Sequence, residues 1–115
     1  MANTFKLVSK ANVTTADIIY TVAGSTTTVL LGILLGNTTG SAITATVSLG
    51  SNTANRAGDN DEANQTVELI TSTTIPGNSS LEILAGNKVV MEATDTLTVT
   101  GSGSTDIALS IMEIT

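Results

Sequence analysis

The carboxylates are the side chains of this sequence that could best do chemistry, and three of the ten lie within four residues of one polar stretch. Oxygen-bearing residues are close together at Asp59, Asn60, Asp61, Glu62 and Asn64. Ca²⁺ takes about six to eight oxygen ligands of this kind. The spacing does not fit an EF-hand, because the glycine precedes the acids and no glutamate follows at the twelfth position. We interpret the cluster as a solvated acidic loop and expect no metal site in it.

A second acidic pair, Glu92 and Asp95, has the residue types used in glycoside hydrolysis. Sugar sites usually hold the ligand against aromatic rings, but the only aromatic residues are Phe5 and Tyr20. The chain has neither histidine nor cysteine. Ser-His-Asp and Cys-His arrangements and thiolate metal sites are therefore impossible within it. The sequence predicts that this is not an enzyme and has no catalytic, cofactor-binding or metal-binding residues.

The charge balance argues against two classes of partner. Ten acids oppose four bases, for a net charge of −6. The bases are scattered along the chain at Lys6, Lys10, Arg56 and Lys88. Nucleic acids and anionic membrane surfaces bind clustered cations, so we expect neither as a partner. The N-terminal residues MANTFKLVSK lack the apolar run of a signal peptide, and no run reaches the ~18 apolar residues of a membrane span. We expect a soluble protein made without a cleaved export signal.

The hydrophobic pattern has a period of two, as in a β-strand with one apolar and one hydroxyl face. Over residues 43–49 and 96–100, apolar residues alternate with threonine and serine, and the branched side chain of threonine suits a strand. Glycine, serine and asparagine clusters separate such segments. The pattern predicts nine strands, centred on Phe5–Asn12, Asp17–Val22, Thr28–Asn37, Ala42–Leu49, Gln65–Thr73, Ser80–Leu84, Lys88–Glu92, Thr96–Thr100 and Asp106–Ile114.

These elements predict the fold class. Closely spaced strands with such turns favour an all-β protein, an antiparallel, jelly-roll-like β-sandwich of about seven to nine strands, with an open barrel as the alternative. The sequence Ile75-Pro76-Gly77-Asn78 fits a type II turn with a positive φ at Gly77. The length of 115 residues suits one domain. We expect a single β-sandwich domain over residues 1–115, with residues 50–64 as a surface loop.

One predicted strand is apolar on both faces. Residues 29–35 read Val-Leu-Leu-Gly-Ile-Leu-Leu, and strict alternation places Leu31 and Leu34 on opposite faces. Either a loop or terminus covers the second face, or another subunit does. The second reading predicts a homo-oligomer. We expect Met91 and Met112 to fill gaps in the core and Tyr20 to be a half-buried strand residue.

Three segments carry a resemblance to a known group of proteins. They are TTTVLLGILLGNTTGSAITATVSL (26–49), IPGNSSLEILAGNKVVMEATDTLTVTGS (75–102) and DIALSIMEIT (106–115). Together they resemble small virion structural proteins of tailed bacteriophages, particularly those of marine and cyanobacterial hosts. The resemblance rests on a β-sandwich pattern, contains no site motif and leaves out the polar loop.

The resemblance implies a non-enzymatic structural protein, repeated on the exterior of a tailed phage particle as a capsid decoration or cement protein or as a neck or tail component. The implied partners are copies of the chain and other virion proteins, and the implied location is the virion, after synthesis in the host cytoplasm. Two alternatives stay open: a fibre-forming or adhesion-type β-sandwich module, and a small ligand-binding module.

Overall fold

The computed structural model describes residues 2–52, 65–84 and 86–115. The predicted acidic cluster, from Asp59 to Asn64, lies outside the described residues. Each of the nine predicted strands is confirmed, with ends shifted by a few residues. The strands are β1 (Asn3–Val13), β2 (Ala16–Thr21), β3 (Thr27–Asn37), β4 (Ile43–Gly50), β5 (Thr66–Ile75), β6 (Ser80–Ile83), β7 (Val89–Met91), β8 (Thr96–Gly101) and β9 (Thr105–Ile114).

The strands form two antiparallel sheets. Sheet 1 has the order β1-β9-β3-β6, and β7 also pairs with β3, so that β6 and β7 act as one interrupted strand. Sheet 2 has the order β2-β8-β4-β5. This alternation of strands between a five-stranded sheet, in which β6 and β7 share one position, and a four-stranded sheet is the arrangement of a jelly roll, which confirms the predicted fold class. No helix among the described residues is long and apolar enough to cross a membrane.

The core lies between the sheets and follows the predicted alternation. Ile107, Leu109 and Ile111 of β9 face Leu97 and Val99 of β8 across it, and all five are buried. Their neighbours in sequence point outward, because successive side chains of a strand lie on opposite faces. Each fully buried aliphatic side chain contributes about 1.5–3 kcal/mol. The other buried apolar residues are Val13, Val22, Leu30, Ile33, Leu35, Ile43, Ala45, Val47, Ile75 and Met91.

A β-bulge interrupts the alternation of β3. Leu30 pairs with Ile111 and Gly32 pairs with Ser110, which leaves Leu31 as an extra residue opposite β9. Beyond the bulge the side chains exchange faces, so Leu30 enters the core together with residues 33 and 35. Strict alternation would have placed Leu30 on the outer face.

The bulge corrects two details of the predicted strand. Leu31 is half-buried at the bulge, whereas Leu34 points outward and is exposed. The outer face of β3 therefore carries Val29 and Leu34. The prediction for Met91, which is fully buried, is confirmed. The prediction for Met112 is wrong, because its register opposite Phe5 and Val29 places it on the outer face of sheet 1.

One end of the sandwich is organised by the buried amide of Asn37. Its Nδ2 donates to the carbonyl oxygens of Ser41, Ile75 and Pro76 at 2.8, 2.9 and 3.1 Å. Its Oδ1 accepts from the backbone N–H and the hydroxyl of Thr39 at 2.9 and 2.8 Å. One side chain thus joins the loop after β3 to the end of β5 in the opposite sheet, and it satisfies groups that water does not reach.

The turn that follows β5 differs from the predicted type II turn. The backbone N–H of Ser79 donates to the carbonyl of Pro76 at 3.2 Å, and the positive φ, 56°, belongs to Asn78. Gly77 serves another purpose. A Cβ there would lie 2.5 Å from the carbonyl oxygen of Gly40, so glycine is required for the close approach of two loops.

We expect Asn37→Ala to lower the free energy of unfolding by about 2–3 kcal/mol, because it leaves buried carbonyl and N–H groups without partners. Urea unfolding followed by circular dichroism measures the effect. The matched control is Asn87→Ala at an exposed position, where we expect a change within about 0.5 kcal/mol. Equal stabilities for the two variants would contradict the role of Asn37.

Candidate functional site

The outer face of sheet 1 carries an apolar row that crosses four strands. Met112 pairs directly with Phe5 of β1 on one side and with Val29 of β3 on the other, and Val29 pairs in turn with Val90 of β7. Directly paired residues share a face, so the four side chains form one continuous strip. Leu7 lies beside this row on β1, opposite Ser110.

These side chains are unusually exposed for their type. Phe5 is 72% exposed, Leu7 69%, Val90 58% and Leu34 45%. We call the surface formed by these four residues with Val29 and Met112 the apolar face. Scattered exposed apolar residues need no explanation, but a contiguous group on one sheet marks a surface for interaction.

Leu34 stands between two shallow clefts on the same surface. One, of about 320 Å³, is lined by Ser9, Lys10, Ala11, Leu34, Gly36, Asp106, Ile107 and Ala108. The other, of about 230 Å³, is lined by Gly32, Ile33, Leu34, Glu82, Ala108 and Ser110. Half of the lining residues are glycine, alanine or serine, so the sheet surface is low on both sides of Leu34. The raised strip around Phe5 and Met112 and the clefts beside Leu34 therefore lie on the same side of sheet 1.

The outer face of sheet 2 has a different character. In β4 and β8 the buried positions alternate with threonine and serine, which therefore point outward. Thr46 pairs with Thr100, and Ser48 pairs with Thr98. The exposed Ile18 of β2 pairs with Thr98 and so lies among hydroxyl-bearing side chains. The described residues of this hydroxyl face therefore form no contiguous apolar strip, and the two outer surfaces of the sandwich are not equivalent.

The end strands of sheet 1 are poorly suited to adding another strand. In β1, Lys6 and Lys10 share the inward face with Val8, and Lys6 forms a 2.7 Å ion pair with Glu113. Inward-pointing lysines on an edge discourage strand addition, because a new neighbour would enclose their charges. The opposite edge is interrupted: β6 has four residues and β7 has three. Short edge strands offer few hydrogen bonds to a partner.

The end strands of sheet 2 are irregular. β2 has a register shift between Ile18 and Tyr20. β5 pairs with β4 irregularly on both sides of Val47, and its Ser72 has a φ of 43°. The N–H of Ser72 donates to the hydroxyl of Thr46 at 2.9 Å. Bulges twist an edge away from a flat partner. All four end strands therefore carry features that hinder edge-to-edge pairing.

Tyr20 is the centre of a polar cluster at the rim of the sandwich. Its hydroxyl donates to Glu113 Oε2 at 2.5 Å and lies 2.7 Å from the hydroxyl of Thr28. Lys6 Nζ lies 2.7 Å from the other oxygen of Glu113. The cluster joins β2 of sheet 2 to β1, β3 and β9 of sheet 1. The prediction of a half-buried tyrosine is confirmed, but the sequence did not indicate its partners.

The pKa shifts in this cluster keep both groups in the protonation states that form the hydrogen bonds and the ion pair between strands. Burial and the hydrogen bond to Glu113 raise the pKa of Tyr20 to about 12, so the phenol stays protonated. The Lys6 ammonium and the Tyr20 hydroxyl hold the pKa of Glu113 below its usual range, so the carboxylate stays ionised. Neither group can readily exchange a proton at neutral pH, and a general acid or base must do so.

Asp95, which the sequence analysis paired with Glu92 as a candidate for glycoside hydrolysis, stabilises the fold through hydrogen bonds to the backbone. It is buried, and it accepts hydrogen bonds from the backbone N–H of Asn52 at 2.8 Å and of Glu92 at 3.0 Å. It holds the segment after β4 against the turn before β8. In the described parts of the chain, no group of three or more acidic, histidine or cysteine residues could hold a metal ion.

Comparisons with known proteins give little more. No family model and no curated protein matches the chain. A solved structure described as "Bacillus endospore appendages form a novel family of disulfide-linked pili" is similar at 18% identity, over 99% of this chain and 87% of that chain, with a TM-score of 0.46. At this TM-score the likeness supports no conclusion about the present chain.

The cluster predicts a pH dependence of stability at both extremes. The lowered pKa of Glu113 means that its stabilisation is complete above pH 4.5 and is lost as the pH falls through the lowered value. The raised pKa of Tyr20 means that its stabilisation is complete below pH 10 and is lost as the pH rises to about 12. Melting temperatures measured across pH should therefore fall at both ends.

The matched variant is Glu113→Gln, which keeps the size of the side chain but cannot ionise. We expect it to melt below the wild type at neutral pH and to lose part of the acid dependence below pH 4.5. If the melting temperature of Glu113→Gln falls below pH 4.5 as steeply as that of the wild type, other carboxylates account for the acid dependence.

Proposed function

We propose that the protein is a non-enzymatic structural subunit that assembles with copies of itself through the apolar face. The observation that carries the proposal is the contiguous strip Phe5–Met112–Val29–Val90 on the outer surface of sheet 1. The polar cluster around Tyr20 and Glu113 links strands together, and the clefts beside Leu34 are open.

The energetics favour covering the apolar face. Burying a leucine-, phenylalanine- or valine-sized side chain contributes about 1.5–3 kcal/mol, and Phe5, Leu7, Leu34 and Val90 stand exposed together. Monomeric proteins seldom keep such a group on one sheet. A contact between subunits removes these side chains from water without disturbing the core. Repeated subunits commonly associate in closed, symmetric groups.

The structure of the edge strands disfavours one mode of self-association, the addition of strands from another copy. A fibre-forming module that grows by strand addition needs a regular, unprotected edge. Here the inward lysines of β1, the divided β6–β7 edge and the bulges of β2 and β5 hinder such addition. These features favour association through a sheet face over the fibre-forming alternative.

The more specific proposal is a virion protein, made in the host cytoplasm and repeated on the exterior of a tailed phage particle. It is supported by the sequence resemblance of residues 26–49, 75–102 and 106–115. Genes for portal, major capsid or tail proteins next to its own gene would support the assignment. A neighbourhood of secretion and surface-anchoring genes would favour the adhesion-type alternative.

Assembly through the apolar face is tested with Leu34→Asp. The substitution places a charge in the contact, and we expect it to weaken self-association by about 2 kcal/mol or more, roughly 30-fold in the dissociation constant. Sedimentation velocity over a concentration series measures the effect, and circular dichroism checks the fold.

The matched control is Thr100→Asp, which puts the same charge on the exposed hydroxyl face of sheet 2 and should leave assembly unchanged. If Leu34→Asp does not fold, Phe5→Asp at the more exposed edge-strand position takes its place. A wild type that sediments as a monomer throughout the series would contradict the proposed function.

A further inference from the structure

We propose that residues 3–11 of β1, which we call the arm, exchange between copies of the chain, so that the arm of one copy pairs with β9 of another. This contact goes beyond the proposed association through the apolar face and does not depend on it. Three features of the structure carry the inference: the arm buries no side chain, an irregular hinge separates it from the core, and the strand that binds it is present in every copy.

The arm lies almost entirely outside the core. All of its side chains are exposed except that of Val8, which is half-buried against the core. Phe5 and Leu7 are 72% and 69% exposed in place, so moving the arm uncovers little of their apolar surface. The end strand β5, in contrast, finishes in the fully buried Ile75. The arm is therefore a part of the sandwich that can leave without emptying the core.

Pairing with β9 is what holds the arm in place. The two strands are antiparallel, and each residue of the arm from Asn3 to Lys10 has a direct partner on β9. Lys6 adds an ion pair of 2.7 Å to Glu113 of β9. Because β9 is identical in every copy, an arm from a second copy can form the same pairs in the same register. Exchange thus reproduces between chains the contacts that the structure shows within one chain, which makes it a low-cost route to association.

The hinge of the arm is Asn12. Its φ is 60°, in the left-handed region that is uncommon for residues other than glycine, and the register with β9 shifts between Lys10 and Val13. Val13, beyond the hinge, is buried and stays in the core of its own chain. A change of φ at Asn12 to the extended region would redirect the arm away from β9. Short, strained connections of this kind favour the exchange of a strand between subunits.

The protection of the sheet edges does not oppose this exchange. Inward-pointing lysines hinder a strand that is added outside β1, because the new strand would enclose their charges. An exchanged arm instead takes the place of β1, and its Lys6 meets Glu113 of the partner subunit as it meets Glu113 within one chain. Phe5 and Leu7 move with the arm, so the apolar face of each copy would then include side chains of the other.

The exchange is tested with single cysteines, because the chain has none of its own. Leu7 and Ser110 pair directly, and the Cα atoms of such pairs are about 4.5–5.5 Å apart, a separation that a disulfide spans. Leu7→Cys and Ser110→Cys chains, one of them carrying an affinity tag, are mixed at high concentration and oxidised. We expect several-fold more mixed disulfide dimer than from Leu7→Cys with Thr100→Cys, the matched control on the hydroxyl face.

The same mixture with Leu34→Asp in both chains removes the contribution of contacts between apolar faces. We expect the mixed dimer to persist in this background. If Leu34→Asp does not fold, Val90→Asp at a more exposed position of the same face takes its place. The double variant Leu7→Cys/Ser110→Cys, oxidised at low concentration, should close a disulfide within one chain and shows that the pair has the geometry to react.

A second pair of variants tests the hinge. Asn12→Val and Asn12→Gly both remove the side-chain oxygen that accepts a hydrogen bond from Ser104. They differ in backbone preference, because a β-branched residue disfavours a positive φ whereas glycine adopts it freely. We therefore expect several-fold more mixed dimer when both chains carry Asn12→Val than when both carry Asn12→Gly.

The outcomes decide between the exchange and a contact between faces. A mixed dimer that persists with Leu34→Asp and increases with Asn12→Val supports the exchange. A mixed dimer that disappears with Leu34→Asp would overturn it and leave the proposed function standing, because contacts between apolar faces then account for the cross-link. The exchange is also wrong if the double variant closes its disulfide but the mixed chains give no dimer, or if the two Asn12 variants give equal yields.

Discussion

The sandwich depends on the single extra residue that β3 carries opposite β9. β3 lies between β9 and the β6–β7 pair, and the bulge at Leu31 exchanges the two faces of the strand at its middle. Because of that exchange, Leu30, Ile33 and Leu35 all enter the core. Without it, one half of the strand would turn its large side chains to solvent and its small ones to the core.

The same bulge shapes the outer surface. It leaves Val29 and Leu34 pointing outward and places Gly32 and Gly36 on either side of Leu34, where they keep the sheet recessed. The raised strip and the clefts are therefore consequences of one irregularity in one strand. Core packing and the proposed contact between copies are coupled through it, because any change of register in β3 would alter both.

Polar groups define the ends of the molecule and limit how it can associate. Asn37 ties the loops at one end, and the cluster around Tyr20 and Glu113 ties the two sheets at the rim. Lys6 contributes to that cluster and also sits on the inward face of the β1 edge, so one ion pair both stabilises the sandwich and hinders strand addition. Such protection disfavours the edges and is consistent with the proposed contact through the broad face of sheet 1.

The sequence by itself determined the strands and the fold class, because period-two alternation and turn residues are local signals that each segment carries alone. It also predicted that the segment around Leu31 and Leu34 would be apolar on both sides. The tertiary structure alone decided which leucine enters the core, since a bulge depends on the pairing with β9 and leaves no local mark. Met112 is a different case, because alternation with the core residues Ile107, Leu109 and Ile111 already places it on the outer face, and its prediction as a core residue overlooked that local signal. The apolar face joins residues from β1, β3, β7 and β9, and only the pairing of strands distant in sequence brings them into one surface.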